Sequence, residues 1–214
     1  MGEFSQNGVV ANLHDFSTRT TDQIEKDLEK FSKTRPMELI LPCLYSELEG
    51  DALPKIVNEI SKTKYLNHII IGLDKANKLQ AKKAWKFFKK LKVPFSILWN
   101  DGPKLKKLDK ELKKIDLAPK QMGKGRNVWY CIGMAIARDE ARSVALHDCD
   151  IKTYDRRLLA KLFYPVENPL FNYEFCKGYY PRIADNRMHG RVARLLVNPL
   201  LTAMEKTIGK SDYI

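Results

Sequence analysis

The sequence predicts an α/β fold in which helices flank a mostly parallel sheet. Short apolar runs recur along the chain, and the segments between them carry apolar residues at helical spacing. Each run ends in charged or turn-forming residues, as strands followed by crossover helices do. Right-handed crossovers bring the carboxyl ends of such strands to one edge of the sheet, where ligands bind in folds of this kind.

Length and composition predict a globular chain. It has 214 residues, of which 44% are hydrophobic, so it can bury one large core. We assign residues 1–36 to an N-terminal arm and helix, and residues 37–214 to the main domain. No apolar run reaches the roughly 18 residues of a membrane-spanning helix, and the N-terminus lacks a signal-peptide pattern. Four widely spaced cysteines without a C-x-x-C pair predict reduced, mostly buried thiols in a cytoplasmic protein.

The expected elements alternate along most of the chain. Strands are predicted at residues 37–44, 66–71, 93–99 and 143–151, with a later one at residues 171–176. Thr21 or Asp22 is predicted to cap the first helix. Another helix is predicted to begin at Asn127, and further helices are predicted to cover residues 76–90, 155–163 and 191–206. A further helix follows residue 50, and another is expected in the lysine-rich segment after Pro103.

Two carboxylates stand at the end of the fourth strand. Alternation along a strand places Asp148 and Asp150 on the same side of the backbone. Hard cations such as Mg²⁺ or Mn²⁺ prefer oxygen ligands and share them with substrate phosphates. The alternative is a polar strand end without a ligand. His147, between strand and carboxylates, is expected to face the other side as a structural histidine with its hydrogen bonds satisfied.

A glycine-rich segment precedes the helix predicted from Asn127. Gly123 and Gly125 would let the backbone approach an anion, and Lys124 adds a mobile cation near a helix N-terminus. The spacing is not that of a P-loop, and no dinucleotide-binding fingerprint follows a strand. Phosphate binding and a plain loop both remain open.

Two further polar residues have two interpretations each. Asp74 ends the second strand and could accept hydrogen bonds from a nucleobase or a ribose, or it could cap the next helix. Arg191 precedes the last long helix and could bind a phosphate or carboxylate through both of its terminal nitrogens, or lie on the surface.

The formal net charge of +12 indicates an anionic partner. Much of the excess lies in residues 82–92 and 104–114, where lysines surround apolar side chains at helical spacing. We interpret both segments as amphipathic helices with solvated lysine faces. The alternative is a non-catalytic basic module with a Rossmann-like core that binds nucleic acid through these helices, although no recognised binding motif accompanies the charge.

Five segments occur in an order that resembles a known enzyme family. They are residues 41–47, 72–74, 123–129, 148–150 and 190–195. Together they are similar to nucleotide-sugar-dependent glycosyltransferases of GT-A fold, and more narrowly to the glucosyl-3-phosphoglycerate synthase and mannosylglycerate-type enzymes of glycosyltransferase family 81. The resemblance covers roughly residues 37–201 and makes residues 37–214 a GT-A nucleotide-sugar-binding domain.

The resemblance implies a role for each segment. It implies retaining transfer of a hexose from a UDP- or GDP-sugar to a small anionic acceptor such as 3-phosphoglycerate, with Mg²⁺ or Mn²⁺ as cofactor. A homodimer is one of the assemblies to test, and no catalytic residue is assigned. The implied nucleotide-sugar-binding residues are Pro42, Leu44, Glu47, Asp74, Gly123, Lys124 and Asp148. The implied metal ligands are Asp148 and Asp150, and the implied acceptor-binding residues are Gly190, Arg191 and Val192.

The sequence also departs from the family pattern. Ala193 and Arg194 stand where relatives carry Thr-Glu, and Tyr45 and Ser46 stand where they tend to carry Asn-Glu. Relatives continue past the last helix to a histidine that completes the metal shell. We therefore expect either a truncated chain or a shorter relative.

Overall fold

A four-stranded parallel sheet forms the centre of the molecule. The computed structural model describes residues 18–171, 173–178, 182–184, 187–189 and 196–209. The sheet strands are β1 (Met37–Leu44), β2 (Leu66–Asp74), β3 (Phe95–Trp99) and β4 (Ser143–Leu146). Their order across the sheet is β3-β2-β1-β4, and each neighbouring pair is parallel. The parallel α/β class predicted from the alternating pattern is therefore confirmed.

Helices connect the strands. They are α1 (Thr21–Phe31), α2 (Ala52–Ile60), α3 (Lys78–Phe88), α4 (Pro103–Lys114), α5 (Lys124–Arg138) and α6 (Arg156–Glu167), and a 3-10 helix covers Tyr45–Glu49. The N-cap of α1 is Thr20 rather than the predicted Thr21 or Asp22, and its side chain accepts a hydrogen bond from the Gln23 backbone N–H. No described helix is long and apolar enough to cross a membrane.

Helices cover the two faces of the sheet unequally. The main core lies on one face and includes side chains of α1, α2, α3 and α6, such as Leu28, Ile56, Phe88 and Phe163. The other face carries a small cluster in which Ile40 and Ile70 pack against Cys131 and Ala135 of α5. Both faces of β1 and β2 are covered, and the sequences of these strands are accordingly nearly continuous apolar runs.

Two ion pairs between a partly exposed arginine and a buried glutamate join distant segments of the chain. Arg35, before β1, donates to the fully buried carboxylate of Glu167 at 2.8 Å. Arg138, at the end of α5, donates to the buried Glu38 of β1 at 3.0 Å. Each pair joins segments more than 90 residues apart, so each fixes tertiary arrangement rather than local structure.

The chain forms two compact units, residues 1–176 and 177–214. Within the first unit α1 packs against α6. The predicted division after residue 36 stays a prediction. In the second unit β5 (Arg182–Ala184) pairs antiparallel with β6 (Arg187–His189), and α7 covers Asn198–Ile208. The strand predicted at residues 171–176 is wrong, because residues 173–176 form neither strand nor helix.

Candidate nucleotide-sugar site

The carboxyl edge of the parallel sheet collects polar residues from four separate strands. Glu47 follows β1, Asp74 ends β2, Asn100 follows β3, and Asp148 follows β4. The register pairs Leu44 of β1 with Asp74 of β2, so the ends of these strands lie side by side. This edge is where open parallel sheets bind ligands.

Alternation along β1 divides its last residues between the two faces. Cys43 belongs to the main core, whereas Ile40 packs in the cluster beneath α5. Pro42 and Leu44 have the same parity as Ile40, so alternation assigns them to the α5 face. Pro42 is buried and Leu44 is half-buried, which leaves part of Leu44 open to a ligand.

The glycine-rich segment begins α5. Gly123 is the N-cap and has φ of 129°, a value that side chains disfavour. Lys124 is the first helical residue, so the predicted start at Asn127 is three residues late. The exposed Lys124 ammonium forms an ion pair with Asp148. The fold therefore brings together two predicted site residues that lie 24 positions apart in sequence.

Asp148 and Asp150 lie beyond the last strand. The strand β4 ends at Leu146, so the two carboxylates occupy the loop rather than the predicted strand. Alternation still holds in part, because Cys149 between them is buried in the main core while Asp150 is exposed. Solvent-exposed carboxylate oxygens fit a hard cation whose remaining ligands are water and phosphate.

Glu47 interacts with the charges of Lys124 and Asp150. One of its oxygens accepts a hydrogen bond from the Leu44 backbone N–H at 2.7 Å, which fixes the turn after β1. Burial raises the pKa of Glu47, and the negative charge of Asp150 adds to that rise. The Leu44 N–H and the Lys124 charge act in the opposite direction on this pKa. Glu47, Lys124 and Asp150 are thus electrostatically coupled.

Asp74 is buried at the end of β2. The residue that caps α3 is Asn77, whose side chain accepts from the Gln80 backbone N–H, so the capping interpretation of Asp74 is wrong. Within the described part of the chain, no hydrogen bond or ion pair to the Asp74 carboxylate is found. A carboxylate at the end of a strand, with no hydrogen bond from the described residues, is suited to accept hydrogen bonds from a ligand.

Two asparagines at this edge were missed by sequence reasoning. Asn100 is only 2% exposed, and neither atom of its amide has a hydrogen-bond partner in the described structure. Asn127 of α5 donates to the Gly72 carbonyl of β2 at 2.7 Å. A Cβ on Gly72 would lie 1.8 Å from the Asn127 Oδ1 atom. A glycine inside a strand is the signal that could have indicated this close approach.

His147 lies on the main-core side, as expected, but its hydrogen bonds are not satisfied. Its ring packs edge-on against Tyr154 with the centroids 5.4 Å apart, and neither ring nitrogen has a partner in the described structure. Burial lowers the pKa of His147 to about 4. The expectation of a hydrogen-bonded histidine is therefore wrong, and the ring is a neutral part of the core.

The predicted acceptor residues Gly190, Arg191 and Val192 lie outside the described residues. Their role stays a prediction.

Comparison with solved structures shows which known fold the chain shares. No protein-family model matches the chain. The structure is similar to Mycobacterium tuberculosis glucosyl-3-phosphoglycerate synthase in complex with uridine diphosphate, with a TM-score of 0.51 and 19% sequence identity. The superposition covers 86% of this chain and 55% of that chain. A second complex of that enzyme, with Mn²⁺, uridine diphosphate and glucosyl-3-phosphoglycerate, gives the same TM-score and identity over 92% of this chain and 58% of that one. The predicted GT-A type of α/β fold is confirmed.

The sequence relatives indicate a narrower group of proteins than the shared fold does. The chain is 40% identical over 214 residues to glucosyl-3-phosphoglycerate synthase of Persephonella marina. It is 39% identical over 200 residues to glucosyl-3-phosphoglycerate synthase of Methanococcoides burtonii. These alignments cover 100% and 92% of this chain, but 53% and 48% of the relatives. The predicted resemblance to glucosyl-3-phosphoglycerate synthases is confirmed, and the chain spans about half the length of the curated relatives it matches.

Proposed function

We propose that this chain is the nucleotide-sugar-binding part of a metal-dependent glycosyltransferase. The reaction is transfer of a hexose from a UDP- or GDP-sugar to a small anionic acceptor such as 3-phosphoglycerate, with retention of configuration. The observation that carries the proposal is the Lys124–Asp148 ion pair at the carboxyl edge of the sheet, beside Glu47 and Asp150. The names of the relatives at 40% and 39% identity support the same reaction.

The nucleoside is assigned to the ends of β1 and β2. Pro42 and Leu44 offer apolar contact, and the carboxylate of Asp74, for which the described residues supply no hydrogen bond, accepts hydrogen bonds from the base or ribose. Glu47 holds the turn through the Leu44 N–H, so it orients this wall of the site. Gly123 opens the approach to the first turn of α5, where free backbone N–H groups favour an anion.

The diphosphate is assigned to Lys124, with Asp148 and Asp150 as the ligands of Mg²⁺ or Mn²⁺. When bound, the cation stabilises negative charge on the leaving nucleoside diphosphate. Lys124 supplies a second positive charge at the same point and would exchange its contact with Asp148 for one with phosphate. Gly190, Arg191 and Val192 remain the proposed acceptor site on the resemblance alone.

A thermal-shift panel tests nucleotide binding. UDP or GDP with Mn²⁺ is expected to raise the melting temperature, because a ligand at 100 times its Kd stabilises the native state by about 2.7 kcal/mol. Asp150→Ala is expected to abolish the rise. Glu140→Gln, which alters an exposed carboxylate paired with Arg138, is expected to retain it. If no nucleoside diphosphate shifts the wild-type protein, the proposal is wrong.

Product formation tests the transfer separately. The chain is incubated with UDP-glucose or GDP-glucose, Mn²⁺ and 3-phosphoglycerate, and glucosyl-3-phosphoglycerate is measured by mass spectrometry. Formation of this product supports the full proposal. Nucleotide binding without product would limit this chain to the binding role and reject transfer by it.

We further propose that the protein acts in the cytoplasm and forms a homodimer. Reduced, mostly buried cysteines suit the cytoplasm. The apolar side chains of Trp129, Ile132 and Ile136 on α5, and of Val144 and Leu146 on the edge strand β4, are exposed, and exposed large apolar side chains are typical of an interface. Sedimentation equilibrium at micromolar concentration measures the assembly, and a monomer would contradict the dimer.

A further inference from the structure

Cys43, Glu47 and Cys149 form a cluster of metal-ligating side chains on the core side of the sheet edge. The two thiol sulfurs and a carboxylate oxygen of Glu47 all lie within 4.8 Å of one another. Among the residues that the structure describes, this is the one group of three His, Cys, Asp or Glu side chains at such spacing. Asp148 and Asp150 do not belong to it.

The parallel register builds this cluster. Ile40 of β1 pairs with Leu146 of β4, and three residues further along each chain come Cys43 and Cys149. Both side chains are buried in the main core. The 3-10 helix after β1 then returns Glu47 towards them, and the Leu44 N–H holds its Oε2 atom at 2.7 Å. Cys43 also interacts with the Glu47 carboxylate, which brings a sulfur and a carboxylate oxygen together.

The ligand chemistry favours a softer cation than the neighbouring carboxylates do. Thiolates with one carboxylate suit Zn²⁺, whereas Mg²⁺ and Mn²⁺ prefer oxygen ligands throughout. Metal–sulfur bonds of about 2.3 Å and metal–oxygen bonds of about 2.0 Å at tetrahedral angles place the ligand atoms about 3.5–3.8 Å apart, so a shift of roughly 1 Å closes the cluster around a cation. We propose that Cys43, Glu47 and Cys149 bind a thiophilic divalent cation, of which Zn²⁺ is the physiological example.

Charge and access are compatible with such a site. Each thiol releases a proton as its sulfur coordinates the cation, so three anionic ligands meet two positive charges. The Lys124 ammonium acts on the Glu47 carboxylate and offsets the remaining negative charge. Glu47 is half-buried, and the exposed Asp150 lies near enough to influence it, so the Glu47 side of the cluster is the side nearest to solvent.

Titration of the metal-free protein with Co²⁺, a spectroscopic substitute for Zn²⁺, tests the site. We expect a near-ultraviolet sulfur-to-cobalt charge-transfer band that saturates at one Co²⁺ per chain and disappears when Zn²⁺ is added. Cys43→Ser and Cys149→Ser are each expected to remove most of the band. Glu47→Gln, which keeps an acceptor for the Leu44 N–H, is expected to weaken Co²⁺ binding about tenfold or more.

Two control variants separate this site from its surroundings. Cys131→Ser removes a buried thiol in the other apolar cluster, and it is expected to leave the band unchanged. Asp150→Ala alters a proposed ligand of the hard cation, and the charge-transfer band is expected to persist. Circular dichroism and melting curves establish that each variant is folded.

Several results would overturn the inference. These are a wild-type protein without the band, a band that survives in folded Cys43→Ser or Cys149→Ser protein, and unchanged Co²⁺ affinity in Glu47→Gln. Loss of the band in Cys131→Ser or Asp150→Ala would overturn it as well. Because the readout is a sulfur–metal transition, it does not depend on nucleotide binding or transfer, and the two proposals can fail separately.

Discussion

Asp109 of α4 connects that helix to the start of α5, and its replacement is expected to weaken the first unit substantially. Its carboxylate accepts hydrogen bonds from Tyr130 at 2.5 Å and from Arg126 at 3.1 Å, and it pairs with Lys113 at 2.8 Å. Lys113, Tyr130 and Arg126 together hold the pKa of Asp109 well below its usual range. The three donors indicate a carboxylate that is charged in the folded protein.

The magnitude of the loss follows from which partners are buried. Arg126 and Tyr130 are buried, and a hydrogen bond to a charged group contributes about 1.5–3 kcal/mol. Lys113 is largely exposed, so its pair with Asp109 adds roughly 0.5 kcal/mol at most. Asp109→Ala also leaves the buried Arg126 charge without a counter-ion. We therefore expect a loss of about 3 kcal/mol, or roughly 6–12 °C in melting temperature.

The assay is thermal and urea unfolding at pH 7. The matched control is Glu111→Ala on the same helix, because Glu111 is exposed and pairs only across one turn with Lys114. That control is expected to change stability by less than about 0.5 kcal/mol. If Asp109→Ala shifts the midpoint no more than Glu111→Ala does, the buried network does not stabilise the fold and the reasoning is wrong.

The dependence of stability on pH independently tests the sign of the Asp109 contribution. Because the pKa of Asp109 is lowered in the folded state, its stabilising effect is complete above the unfolded pKa near 4 and is lost as the pH falls below that value. The difference in stability between wild type and Asp109→Ala is therefore expected to be constant from pH 5 to pH 8 and to shrink towards pH 2. A difference that grows on acidification would contradict this.

Three further predictions concern other parts of the first unit. Gly72→Ala is expected to cost roughly 2–4 kcal/mol in urea unfolding, because the new methyl group overlaps the Asn127 amide; a change below 1 kcal/mol would show that the helix shifts freely. Lys124→Ala is expected to cost less than about 1 kcal/mol, since its ion pair is exposed, yet to remove the UDP- or GDP-induced thermal shift; Lys120→Ala, which alters another exposed pair, should leave that shift intact. Burial raises the pKa of Glu25 to about 7, so the contribution of Glu25 to stability should fall as pH rises from about 4.5 to 7. Glu25→Gln should remove this fall and add roughly 1–3 kcal/mol at pH 8, measured by urea unfolding across that range; an unchanged pH profile would contradict it.

Much of the first unit could be predicted from local pattern. The bounds of β1 and the position of α2 after residue 50 agree with the predictions, because strands buried on both faces and amphipathic helices leave strong apolar signals. The lysine-rich segments are helices, as predicted, and Ala84 and Phe88 of α3 are buried while most of its lysines are exposed. Element ends were less accurate, as the early start of α5 and the short β4 show, because caps and turns depend on a few local hydrogen bonds.

In the candidate site, too, some features follow from local sequence and others only from the tertiary structure. The sequence alone determined which residue types stand after each strand, including Asp74, Lys124, Asp148 and Asp150, because strand periodicity and turn residues are local properties. Only the tertiary structure decided that Lys124 pairs with Asp148, that Asp74 is not a helix cap, and that Glu47 meets two cysteines. These contacts join residues far apart in the chain, and they follow from strand order, register and the packing of α5 on Gly72, which no short segment encodes.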